Sequence, residues 1–151
     1  MFLRLLESLH GHFGILAAVA LMHPAWLLRR GKPLSRGARW SVGLTAVVTS
    51  VAFGLGLFIY EPYREIVKRQ LFAFDRGAGW LFETKEHLAF AVIALTMGAT
   101  VAAFATARQR TPEARRIRRF SAAAYGAAAV LCLVVVALGT YVASLRSFPE
   151  P

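Results

Sequence analysis

Four stretches of this chain contain no Lys, Arg, Asp or Glu: Leu9–Leu28, Trp40–Tyr60, Leu88–Ala107 and Ser121–Leu145. Each has the roughly 20 residues that a helix needs to cross a hydrocarbon core of about 30 Å. Within lipid the backbone must satisfy its own hydrogen bonds, so stretches of this length cross as helices. Four of them in 151 residues leave almost nothing for a separate soluble domain. The expectation is an all-α, integral membrane four-helix bundle, up-down-up-down, forming a single domain over residues 1–151.

Composition excludes the main rivals. The chain is 57% hydrophobic and only 17% charged, too few charges for a basic soluble domain and too much apolar content for disorder. A lone cysteine, Cys132, excludes an internal disulfide framework and any CxxC motif. It falls mid-span with no metal-binding companion and reads as a small core residue.

The net charge of +10 lies in two places. Arg29, Arg30, Lys32, Arg36 and Arg39 connect the first two spans, with no acid among them. Arg108, Arg110, Arg115, Arg116, Arg118 and Arg119 connect the last two, with only Glu113. The rest of the chain holds seven basic and seven acidic residues, which cancel. The positive-inside rule places both basic loops in the cytoplasm, with both termini and the 61–86 loop outside. A bacterial inner (cytoplasmic) membrane is the expected location. No aromatic interleaving or recognised motif accompanies the basic loops, so nucleic acid is not an expected partner. Weak attraction to anionic head groups is. Ala18-Val19-Ala20 fits a signal-peptide cleavage site, but the apolar run continues through Leu28 and cleavage would send Arg29 and Arg30 outward.

The 61–86 loop has its own pattern. Pro62 can open a helix, and Val67, Leu71 and Phe74 then share one face, with Arg64, Lys68 and Arg69 towards water. This predicts a short interfacial helix. Tyr60, Tyr63, Trp80 and Phe82 would supply an aromatic belt, and Gly77-Ala78-Gly79 would break the chain before the third span.

Histidines carry the candidate chemistry. His10 is 19 residues before Arg29 and His87 is 21 before Arg108, so the two lie within about 3 Å of one level near the outer face. Each heads a largely small-residue face, Gly14, Ala17, Ala18, Leu21 and Ala25 below His10, and Ala91, Ala94, Gly98, Ala102 and Ala105 below His87. Small-residue faces let helices approach one another or a flat cofactor. Spans one and three are diagonal neighbours in a sequentially packed bundle. This pattern suits one bis-histidine haem b near the outer face, with Gly14 and Ala91 making room for the macrocycle and quinol as a possible redox partner. A second pattern overlaps it. Glu7 precedes His10 by three residues and Glu83 precedes His87 by four, a Glu/His set able to hold a non-haem metal. The bland alternative is a pair of interfacial histidines bonded to backbone or water.

His12 and His23 share the bulky face of the first span, about 16 Å apart. His23-Pro24 could satisfy carbonyls freed by the proline, or this face could meet other membrane subunits. Val42/Ala46/Ser50/Gly54 and Ala122/Gly126 read as bundle packing. No hydrolase, transferase or nucleotide-binding motif occurs, and no charge sits mid-span to serve a pump.

Leu9-His10-Gly11-His12-Phe13-Gly14, with Arg119-Phe120-Ser121-Ala122 leading to Leu138-Gly139-Thr140-Tyr141, resembles small four-helix membrane proteins of the b-type cytochrome and copper-resistance CopD-like kind. The resemblance implies an inner-membrane redox or metal-handling protein, with His10 and His87 as ligands. The second histidine pair of two-haem cytochromes b is absent. Two functions are therefore expected to compete: a haem b electron-transfer protein or subunit, and a cofactor-free structural or assembly subunit of a membrane complex.

Overall fold

A computed structural model describes residues 2–146. Its elements are α1 (Phe2–Leu28), α2 (Arg36–Tyr63), a π-helical turn (Arg64–Lys68), α3 (Arg69–Phe74), α4 (Arg76–Ala105) and α5 (Pro112–Leu145). The described residues contain no strand. Among them, four helices are long and apolar enough to cross a membrane: α1, the continuous run Arg36–Phe74, α4 and α5.

Short polar signals set the boundaries. Gly31, at φ +64°, turns the chain after α1, and its N–H closes on Leu28 O at 2.8 Å. Ser35 caps α2 by accepting from Ala38 N, and Thr111 caps α5 by accepting from Ala114 N. Pro112 follows at the first helical position, where its missing N–H costs nothing.

The connection between the second and third spans differs from the sequence expectation. The helix runs through Pro62 and a π turn to Phe74, and α4 starts two residues later. Asp75 alone separates them, accepting from Gly77 N at 2.8 Å as an N-cap. Gly77-Ala78-Gly79 is helical and breaks nothing. Gly79 instead admits the Phe72 ring, which would lie 2.6 Å from a Cβ placed there. Val67 and Leu71 are buried as expected, but Phe74 at the helix end is exposed. Tyr63 and Phe82 also depart from the belt expectation, because both are buried and stack with ring centres 5.1 Å apart.

Around the bundle, α1 packs on α2 and α5, and α4 packs on α5 and α2, which leaves α1 and α4 diagonal. Two buried clusters run along it. The longer one is rich in alanine, including Ala17, Ala18, Ala52, Ala99, Ala103 and Ala128. The shorter one contains Tyr63, Val67, Leu71, Phe82 and Val142. Small side chains let helix backbones approach closely, which is the main source of attraction where lipid is as apolar as the core. Interhelical hydrogen bonds add to it. Thr45 Oγ1 donates to Ala20 O at 3.1 Å, Thr100 and Tyr125 share a 2.6 Å bond, and Cys132 Sγ lies 3.7 Å from Gly14 O. Cys132 is buried, as a small core residue should be. Of the small residues on α2, Val42 and Ala46 are buried and Gly54 is exposed.

Candidate functional site

The small stripe below His10 faces inward. Ala17, Ala18 and Leu21 are buried, while Ile15, Leu16, Val19 and Trp26 on the opposite side are exposed. His10 itself is part-buried, and its Nδ1–H donates to Ala52 O of α2 at 2.9 Å. The ring lies so close to α2 that a Cβ on Gly56 would stand 2.8 Å from His10 Cε1. Gly56 therefore makes the room that His10 occupies.

The stripe below His87 faces the other way. Beyond His87 the buried residues of α4 are Val92, Thr96, Ala99 and Ala103, whereas Ala94, Gly98 and Ala105 are exposed and Ala91 and Ala102 only half-buried. His87 is exposed with them, and its Nδ1–H donates to Glu83 O at 2.8 Å, one turn back. Lys85 heads the inward face instead. It precedes Val92 by seven residues, two helical turns. Its side chain passes Gly139 of α5, where a Cβ would be 3.5 Å from Lys85 Cδ. The ammonium ends 4.5 Å from the Phe82 ring centre, within electrostatic reach of His10, Glu7 and Glu86.

Glu83 is already committed. Its Oε1 lies 2.8 Å from Lys68 Nζ, which also reaches Glu86 Oε2 at 3.2 Å. Lys68 was expected to face water, yet its side chain is only 12% exposed. One ammonium thus bridges two carboxylates on adjacent turns of α4, tying the C-terminal part of the Arg36–Phe74 helix to it. The Lys68 ammonium also sits 5.6 and 5.3 Å from the ring centres of Tyr60 and Phe82. Aromatic faces and carboxylates together surround the cation.

The four residues proposed as metal ligands are accordingly dispersed in role. His10 bonds α2, His87 is exposed, Glu83 pairs with Lys68, and Glu7 acts on Tyr63 and Lys85. Among the described residues no three His, Cys, Asp or Glu side chains are grouped to hold a metal ion. His10 is part-buried against α2 whereas His87 is exposed, and Lys85 rather than His87 heads the buried stripe of α4. Both histidines do keep Nε2 free, because each ties Nδ1 to a carbonyl.

His12 is exposed and bonds Ser8 O at 2.7 Å. His23 pairs with Ser41 Oγ at 2.7 Å rather than with carbonyls beside Pro24. It couples α1 to α2.

No family model matches the chain, and neither a curated protein nor a solved structure does so. The likeness to b-type cytochromes and CopD-like proteins therefore rests on the quoted residues alone. Function has to be argued from this chain's own contacts.

Lys68, Lys85 and Glu86 of this cluster were missed as interacting groups in the sequence, and each left a signal. Glu83 and Glu86 are three apart, hence on one helix face, and two acids so placed ask for a cation. Lys85 is in phase with the Thr96/Ala99/Ala103 stripe. Lys68 could be found only by extending the second helix beyond Pro62.

Proposed function

We propose that this is a cofactor-free, four-span subunit or assembly factor of a bacterial inner-membrane complex, with both basic loops cytoplasmic and both termini outside. The helical segment 61–74 and the start of α4 then stand at and beyond the outer interface, since 39 residues make a helix of about 58 Å. One observation carries the reading. The small-residue stripe headed by His87 faces away from the bundle, where it offers a close-packing surface to a further membrane helix rather than space for a macrocycle. The polar residues of the outer end support it, because they are engaged in joining helices to one another. The outward His12/His23 side of α1 gives a second surface on which a neighbouring subunit would spare imidazoles from lipid.

A haem b electron-transfer protein is the second reading. It is favoured by the free Nε2 atoms of His10 and His87, and it requires α4 to turn so that His87 replaces Lys85 inside. A reduced-minus-oxidised spectrum of protein purified from haem-replete membranes, with metal analysis of the same sample, separates the two. The cofactor-free reading expects no α-band and less than about one-tenth equivalent of iron, zinc or manganese. An α-band that disappears in both His10→Ala and His87→Ala would overturn it.

A further inference from the structure

A basic concavity lies at the opposite end of the bundle from His10 and His87. The loop after α1 and the first turns of α5 border an open cleft of about 1130 Å³ lined by eight Lys and Arg residues and no acid. Arg29, Arg30 and Lys32 come from one side, and Arg115, Arg116 and Arg119 from the other. None of the eight pairs with a carboxylate among the described residues. So many like charges at close quarters repel one another unless a counter-charge is supplied.

The walls are built, not loose. Arg118 is 1% exposed, and its Nε–H donates to Gly31 O at 3.0 Å while an Nη1–H donates to Thr106 O. Leu34 N–H donates to Ala107 O at 2.8 Å, a second tie between the two basic loops. Gly31 lets the chain turn at φ +64° directly beneath Arg115 and Arg119, whose Cγ atoms would lie 2.7 and 3.1 Å from a Cβ there. The side-chain stems of Arg115 and Arg119 thereby pack against the α1 turn. A disordered basic loop would show none of these constraints.

We propose that this cleft binds the phosphate of an anionic phospholipid. Guanidinium groups recognise phosphate oxygens by paired hydrogen bonds, and charge complementarity argues for an anion. Position argues for a lipid. The exposed aromatics Trp26, Trp40 and Phe120 lie close in sequence to the lining arginines, and the Arg29 guanidinium sits 3.2 Å from the Trp26 ring centre. Exposed aromatic rings beside arginine mark the head-group level of a bilayer. The proposal rests on the four-span reading but not on which loops are cytoplasmic, so binding in detergent tests it separately from topology.

The full chain, purified in a neutral detergent, is titrated with phosphatidylglycerol and with phosphatidylcholine while bound lipid is counted by native mass spectrometry. Saturable binding of phosphatidylglycerol is expected, at least tenfold tighter than phosphatidylcholine. Arg115→Gln/Arg119→Gln weakens it about tenfold, a loss of about 1.4 kcal/mol. Arg30→Gln/Arg116→Gln does the same should the first pair fold poorly. Arg36→Gln/Arg39→Gln removes equal charge outside the cleft and changes binding less than twofold. Equal losses in all three pairs, or equal affinity for the two lipids, would overturn the proposal. Displacement of the lipid by millimolar inorganic phosphate would overturn it too, by identifying a free anion as the occupant.

Discussion

Arg118→Leu lowers the apparent melting temperature of the detergent-solubilised protein by about 10 °C. Among the described residues Arg118 is the one charged side chain buried to 1% exposure, and its guanidinium donates to Gly31 O and Thr106 O from opposite sides of the basic end. Leucine takes the side-chain donor from Gly31 O and leaves Thr106 O with Gln109 N–H alone. A buried acceptor stripped of its partner costs about 1–3 kcal/mol, so the two losses together cost about 3 kcal/mol. For a chain of this length that corresponds to a shift of about 10 °C. Arg118→Lys keeps the charge and can reach one carbonyl at a time, so an intermediate shift is expected. Arg116→Leu, exposed two residues earlier, is the control and changes little. Thermal unfolding followed by circular dichroism in one detergent reads all three.

Lys68→Met has the second largest effect. Lys68 neutralises Glu83 and Glu86 together, with the three side chains 12%, 31% and 18% exposed. Methionine keeps the packing over Tyr60 and Phe82 but leaves two carboxylates on one helix face without their cation. Breaking a buried pair by removing one partner costs about 3–5 kcal/mol. Partial exposure reduces that to about 2 kcal/mol here, or about 6 °C. Adding Glu83→Gln and Glu86→Gln to Lys68→Met restores most of the loss, because the repulsion and the uncompensated burial disappear together. If the triple variant is no more stable than Lys68→Met, the network is incidental.

The span pattern and the outward bulky face of α1 were legible because lipid enforces them: a charge is too costly in hydrocarbon to be carried anywhere along such a span. The inward stripe below His10 was legible for the same reason, since bulky Ile15, Leu16, Val19 and Trp26 marked the lipid side. On α4 that cue fails. Its exposed face mixes small Ala94, Gly98 and Ala105 with large Phe90, Met97 and Val101, so size does not tell lipid from core. The hydroxyls do, because Thr96 and Thr100 belong inside, where Thr100 meets Tyr125 of α5. Weighting them would have chosen Lys85 over His87 as the inward residue.

The connection between the second and third spans was misread for a different reason. Pro62, Gly77 and Gly79 carry breaking signals, yet the helices run through all three. A π turn follows Pro62, a device by which a helix absorbs a local irregularity. At Gly79 tertiary packing wins, since the Phe72 ring fills the space that the missing side chain leaves. Asp75, a lone N-cap, held the real boundary.

The most direct test of the four-span account is sidedness. In a Cys132→Ala background, single cysteines at Lys32, Arg110 and Asp75 are probed in intact cells with a membrane-impermeant maleimide. The account predicts labelling at position 75 alone, with 32 and 110 labelled only after the membrane is opened. Labelling of all three from the same side, or of 32 and 110 from outside, would contradict it.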